Sequence, residues 1–370
     1  MIKLIHWNDF INLAISCNGV ICIGAGKRLE SMAQLPITEE YLKSIKYVVD
    51  NDKEKQGKTV KVGTDKRIVM SVEQLRKCNI ENMVILITIA EGYLNIIEQL
   101  KILGIYEQID VYCLTHIKNI YMEDVAMSKK IPDNIMLSEK MLIPKKIHYC
   151  WFGGSPLPDK YKKWMESWKK YCPDYEIIEW NESNYDITKN KYMYDAYKAK
   201  KWGFVPDYAR LDIIYNHGGI YLDTDVELVA NLDDLLYEEA FAGFESEENV
   251  ALGLGFGAQK GNPIIKEMRD DYKKREFIRK DGRLNLIASP IIQTEILNEK
   301  GLVSNGEYQK LDNITIFPEK MLCGKSMYTR RILLKNYTRA IHHYEGTWLE
   351  DDIKTKIYEK ENEFKELIQN

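Results

Sequence analysis

The chain has no pair of cysteines at CxxC spacing, no low-complexity tract, no surplus of basic charge and no long apolar run. Each absence excludes something. The seven cysteines are scattered through mostly apolar surroundings, which suits reduced, packed thiols and argues against a zinc or dithiol redox site. The longest apolar run, Met83 to Ala90, falls far short of the ~20 residues that cross a bilayer. The first ten residues mix polar and charged side chains into their apolar stretch and lack the cleavage pattern of a signal peptide, so a cytoplasmic location is expected. A net charge of -4 and a pI near 6.0 exclude nucleic acid as the main partner, because phosphate binding needs a basic face. What remains, 370 residues with 45% hydrophobic and 29% charged side chains, is the composition of a folded protein of two domains.

From Gly19 to Cys113, short apolar runs alternate with amphipathic ones: GVICIGAG, YVVDND, RIVM, MVILITIA and IDVYCL. Strand alternating with helix predicts a parallel sheet covered on both faces, a small Rossmann-like doubly wound domain over residues 1–117. The segment after MVILITIA carries Leu94, Ile97, Leu100 and Ile102 at helical spacing, with Gly104 as a stop. Residues 118–142 are mixed and charged, contain Pro132 and break both periods, which predicts a linker. A second α/β domain, 143–370, opens with IPKKIHYCWFGG, an apolar strand running into a glycine turn. Helices are expected around Lys160–Lys170 and Met193–Lys201, and VPDYARLDIIYNHGGIYLDTDVEL reads as helix, Gly218-Gly219 turn and strand.

Chemistry concentrates at the end of that strand. Asp223 and Asp225 lie two apart, so in extended backbone both carboxylates point to one face and can converge on one cation. Hard divalent ions such as Mn²⁺ or Mg²⁺ take oxygen ligands and leave positions for phosphates. An acidic pair taken alone is more often a solvated turn. Upstream, Asp207 and Arg210 stand at i and i+3 on one helix face; in isolation they would be a surface ion pair worth little.

Five motifs in order, IPKKIHYCWFGG, SWKKYCPDYEIIEWNE, FVPDYARLDIIYNHGGIYLDTDVEL, GLGFGAQKGNPII and AIHHYEGTW, resemble glycosyltransferase family 32, which includes capsular-polysaccharide transferases. The resemblance runs from Ile143 to about Trp348. It implies a GT-A type nucleotide-binding α/β sandwich and a metal-dependent, retaining transfer of a hexose from a nucleotide donor, UDP-linked in the expected case. It implies a glycan or lipid-linked glycan as acceptor in surface-polysaccharide synthesis, and peripheral association with membrane-bound assembly machinery at the inner membrane face. By the same resemblance Asp207, Arg210, Asp223 and Asp225 are the catalytic residues. Trp151, Gly153, Gly154, Tyr221, Gly255 and Trp348 bind the donor. The metal is held by Asp225 and His343, with Asp223 contacting the ribose or reaching the metal through water; His343 aligns with the family better than His342. Removing one of two uncompensated carboxylates should relieve repulsion, so Asp225→Asn is expected to melt no lower than the metal-free parent. The family often has an amide before the glycine run, where this chain has Val250-Ala251.

In the first domain Gly24-Ala25-Gly26 follows a strand and Asp50 ends the next, but position 29 is Leu where a dinucleotide fingerprint has its third glycine. This region looks like the nucleotide-binding domain at the N-terminus of sugar acyltransferases, as a docking or scaffold element. Two further readings stay open at this stage: an NAD(P)-dependent sugar-nucleotide reductase, and a catalytically inactive sugar-nucleotide binding module.

Overall fold

The computed structural model describes residues 2–27, 29, 35–90, 92–346, 353–355, 357–359, 361 and 362; Trp348 lies outside them. It divides into two compact units, one of Met1–Asp124 with Tyr358–Asn370 and one of Val125–Ile357. No helix among the described residues is long and apolar enough to cross a membrane.

In the first unit β1 (Val20–Ile23), β2 (Ile45–Val49), β3 (Thr59–Val62), β4 (Asp65–Met70), β5 (Val84–Ile87) and β6 (Asp110–Cys113) form one sheet in the order β3-β4-β2-β1-β5-β6. All pairings are parallel except the β3-β4 hairpin. Every residue of β1 and β5 is buried, as expected of strands covered on both faces. The five apolar runs of the sequence are β1, β2, β4, β5 and β6; β3, with its exposed lysine and threonine, had no such signal. Helix Tyr93–Ile102 stops where expected: Gly104 takes a positive φ of 68°, and the Ile105 N–H donates to the Leu100 carbonyl at 3.0 Å. Its buried face is Tyr93, Ile96, Ile97 and Leu100, whereas Leu94 and Ile102 are exposed, a rotation of the face drawn from the sequence.

The stretch expected to be a linker is ordered. Helix Leu114–Ser128 fills its first part, with Ile117, Ile120 and Ala126 buried; a buried Glu123 on the same helix hid the apolar period. Farther on, Ile135 and Ile143 enter the core of the second unit, and the Leu142 and Ile143 N–H groups donate to the Leu236 carbonyl at 2.9 and 3.0 Å.

The second unit holds β7 (Lys146–Cys150), β8 (Glu176–Trp180), β9 (Gly219–Tyr221), β10 (Val226–Leu228), β11 (Ala240–Gly243), β12 (Phe256–Ala258), β13 (Gln309–Leu311), β14 (Ile314–Phe317) and β15 (Ala340–His342). Its main sheet runs β13-β14-β11-β12-β9-β7-β8, and β10 pairs antiparallel with β15 outside it. Because β12 is antiparallel to both β9 and β11, and β7 and β14 are parallel to those two, the strands β7, β9, β11 and β14 all end at one edge. That edge of a mostly parallel sheet is where α/β proteins place ligands. Helix Pro206–His217 begins with proline, is buried from Asp207 through Ile214, and feeds β9 through Gly218 and Gly219, both at positive φ. A Cβ on Gly219 would lie 2.9 Å from the His148 ring, so only glycine lets the strand close against β7.

Candidate active site

The four parallel strand ends present Trp151 after β7, Asp223 and Asp225 after β9, Glu245 after β11 and Glu319 after β14. Asp223 and Asp225 sit in a tight turn between β9 and β10, closed by the Val226 N–H donating to the Asp223 carbonyl at 3.1 Å. Convergence therefore comes from this turn, not from the strand alternation inferred from the sequence. The two carboxylates and His342 bring ligand atoms within 4.8 Å of one another.

The histidine at the cluster is His342. The β10-β15 register sets Val226 opposite His342, and the His342 Nε2 lies 3.3 Å from the Asp225 Oδ1. His343, the residue chosen on family alignment, points away: its Nε2 meets Glu227 at 2.9 Å and its ring stacks on Trp164 at 4.0 Å. Neighbours in extended backbone face opposite sides, so the two roles cannot be exchanged without a register slip.

Asp225 is the better-held carboxylate. Its Oδ2 accepts from the Glu345 N–H at 3.0 Å, and its main-chain carbonyl accepts from the His343 N–H at 2.9 Å. Burial pushes its acid up, but His342, the Glu345 N–H and its own N–H outweigh burial and hold it at about 2. Asp223 differs: burial raises its acid, and the opposing Arg210 charge does not fully compensate. For His342 burial works against the charged form, yet Asp225 beside it outweighs that and raises its pKa.

Arg210, buried, binds Asp207 through Nη2, donates from the same nitrogen to the Ser289 Oγ at 2.7 Å, and sets Nη1 3.8 Å from the Asp223 Oδ1. Its Nε is buried without a partner. Burial pushes the Asp207 acid up to about 6, against the pull of Arg210. The helical i, i+3 pair is thus a buried pair and not a surface one. Its guanidinium lies 5.9 Å over the Tyr221 ring, and Tyr221, 1% exposed, supports the arginine from behind instead of lining the donor space as expected.

Among the glycines, Gly253 matters most: a Cβ there would come within 2.5 Å of the Asp223 Oδ2. Gly255, the position expected to meet the donor, backs onto the Leu222 side chain at 2.9 Å. Gly153 donates its N–H to Glu182 at 2.6 Å and backs onto the Trp202 ring; nothing lies within 4 Å of a Cβ on Gly154. Trp151, partly buried, donates its Nε1 to the Ser155 carbonyl at 2.6 Å, with its ring 5.7 Å from Tyr161. Sequence reasoning missed Ser289, which no local signal marks; it set His342 behind His343 and took in Gly253 only as part of the glycine-rich stretch.

The donor set of two carboxylates and one imidazole suits Mn²⁺ or Mg²⁺. Among the described residues the His342 Nδ1 is buried without a partner, while its Nε2 lies 3.3 Å from the Asp225 Oδ1, so the imidazole has a nitrogen on the side of the carboxylates. The residues fit the group.

Residues 158–242 match the family model described as a glycosyltransferase sugar-binding region containing the DXD motif. Inositol phosphoceramide mannosyltransferase 3 of Schizosaccharomyces pombe is 31% identical over 137 residues, 35% of this chain and 37% of that protein. Subversion of eukaryotic traffic protein A of Legionella pneumophila is 27% identical over 173 residues, 38% of this chain and 26% of that protein. The alignments thus span about a third of these relatives' own length. A solved chain named PaToxG glycosyltransferase superposes with a TM-score of 0.35 and 18% identity, covering 49% of this chain and 76% of that one, too distant a likeness to carry an argument. The family match falls on the segment that forms helix Pro206–His217, β9 and the acidic turn, and on these grounds the second unit is similar to the DXD glycosyltransferases.

Proposed function

We propose that the second unit is a metal-dependent, retaining hexosyltransferase that takes its sugar from a nucleoside diphosphate, UDP in the first instance, and delivers it to a glycan or lipid-linked acceptor in surface-polysaccharide assembly. The observation that carries this reading is the convergence of Asp223, Asp225 and His342 within 4.8 Å, beside a buried guanidinium, at the edge where four parallel strands end. A bound Mn²⁺ or Mg²⁺ would supply positive charge to the departing diphosphate. Asp225 and His342 hold that cation, with Asp223 as third ligand. Arg210 brings a fixed cation to the same region without reorganisation, since Asp207 and Ser289 lock its fork. Asp207 keeps Arg210 in place and, in this reading, offers an oxygen to sugar hydroxyls.

A lipid-borne acceptor is supported by the relative whose name describes mannose transfer to inositol phosphoceramide, and it would bring the protein to a membrane surface from the cytoplasm. The first unit is accessory in this reading. A nicotinamide reductase centred on Gly24 is disfavoured by Asp50, whose carboxylate already accepts from the Ala25 N–H at 2.7 Å and pairs with Lys55 at 3.0 Å. The test is hydrolysis of a panel of UDP- and GDP-sugars with Mn²⁺, Mg²⁺ or EDTA. Metal-dependent release of the nucleoside diphosphate from at least one donor is expected; none from any donor would sink the reading. Proton NMR of the product then decides retention, and an inverted anomeric coupling would remove that part.

A further inference from the structure

Glu245 stands at the same edge as the acidic turn, two residues beyond β11, which runs parallel to β9. Its backbone is fixed: the Phe244-Val250 bridge closes a short hairpin, and the Glu245 N–H donates to the Asn249 carbonyl at 2.9 Å. Glu319, which follows β14 at this edge, is neutralised by the fully buried Lys320 at 2.6 Å. Glu245 has no such service. Its carboxylate engages neither a hydrogen-bond donor nor an ion-pair partner among the described residues, and the opposite charge nearest in effect is His342. A carboxyl that only supported the fold would be paired, because leaving one unpaired in a half-buried place costs stability. Nor does it complete the cation cluster, which comprises Asp223, Asp225 and His342. It is thus a half-buried acid at the edge that carries the acidic turn, with its oxygens unused among the described residues.

We propose that Glu245 is the acceptor-side catalytic carboxylate of the transfer reaction, an inference that rests on the transferase reading above. Its carboxylate accepts the hydrogen bond of the incoming hydroxyl. As the hydroxyl oxygen bonds to the anomeric carbon, the proton passes to a Glu245 oxygen. The bond from the anomeric carbon to the diphosphate oxygen breaks, and its electron pair leaves with the nucleoside diphosphate. The proton is then released to water. Water in place of the acceptor gives donor hydrolysis by the same route.

The experiment compares the full-length parent with Glu245→Gln and Glu245→Asp. Turnover is measured on a sugar nucleotide that the parent hydrolyses, and calorimetry measures the affinity for Mn²⁺ and for UDP with Mn²⁺. Glu245→Gln is expected to lose about 100-fold or more in kcat, with both affinities within about twofold of the parent and a melting temperature no lower than the parent's, and Glu245→Asp to recover part of the rate. Turnover of Glu245→Gln within about threefold of the parent overturns the role. So does a parallel tenfold loss of Mn²⁺ affinity, which would make Glu245 a ligand. A parent inert toward every sugar nucleotide overturns the transferase reading itself, and this role with it; an active parent with an active Glu245→Gln overturns this role alone.

Discussion

Both units place an acid just past the end of a parallel strand, close to a glycine turn, and they treat it oppositely. In the first, Asp50 is spent on its own surroundings: the Ala25 and Asp52 N–H groups donate to it and Lys55 pairs with it, so its acid is lowered. In the second, Asp223 and Asp225 share a turn with one histidine and the edge of one arginine, an arrangement a cation completes. The difference teaches that an acid at a strand end becomes a candidate site where the fold gathers further ligand atoms beside it, as it gathers Asp223 and His342 beside Asp225, and not where its own loop and a lysine take it up.

The largest expected effect that tests this contrast is loss of activity in Asp225→Asn, by a factor on the order of 100 to 1000 or more, read as donor hydrolysis with Mn²⁺. The structure also revises the expected stability. Asp225 is held ionised by His342 and the Glu345 N–H, so its amide should lower the metal-free melting point by the equivalent of about 1 to 2 kcal/mol. Relief from an uncompensated charge belongs instead to Asp223, whose acid burial raises; Asp223→Asn should melt no lower than the parent without metal. If the two variants melted in the reverse order, the assignment of their partners would be wrong.

Next in size is the histidine pair. His342→Ala should weaken Mn²⁺ binding by about tenfold or more, as measured by calorimetry, whereas His343→Ala should leave it within about twofold and cost stability through Trp164 and Glu227. Equal losses in both would erase the facing derived from the β10-β15 register.

A smaller effect concerns acid, and here the units behave alike. Each buries a histidine, His116 in the first and His148 in the second, and burial lowers both to about 4. His148 is fixed as the neutral ring: its Nδ1 accepts from Trp180 at 3.0 Å, which leaves Nε2 to donate to the Gly218 carbonyl at 2.9 Å. Between about pH 6.5 and pH 4 the unfolded chain binds protons that the native chain refuses. This stability is therefore complete above about 6.5 and lost as pH falls toward 4, by up to about 3 kcal/mol for each histidine. Urea titrations should show that slope, flatter in His148→Gln than in the parent; an unchanged slope would mean that His148 takes a proton in the native state.

The smallest effect should come from Asp50→Asn. Its loss of the Lys55 pair and of charge-assisted N–H bonds should cost about 1 kcal/mol of stability, with donor hydrolysis unchanged. A loss of turnover comparable to Asp225→Asn would abolish the distinction between the two units.

Period and local chemistry made part of this legible in the sequence. The apolar runs marked β1, β2, β4, β5 and β6, most plainly β1 and β5, because a strand buried on both faces must be apolar throughout. The order of helix, double glycine and acidic pair placed Asp207, Arg210, Asp223 and Asp225 together, since each spacing is set within one element or one turn. The helix over Leu114–Ser128 was lost because the buried Glu123 looks polar in a row of letters. Tertiary structure alone decided the remainder. Which of two adjacent histidines meets the acidic turn depends on the register of β15 against β10, more than a hundred residues upstream. That Ser289 locks Arg210, that Gly253 makes room for the Asp223 carboxylate, and that Glu245 stands unanswered at the same edge all depend on which strand ends the sheet gathers. Side-chain type and short spacing are properties of a stretch of chain, whereas facing, compensation of charge and the space left beside a group belong to the packed whole.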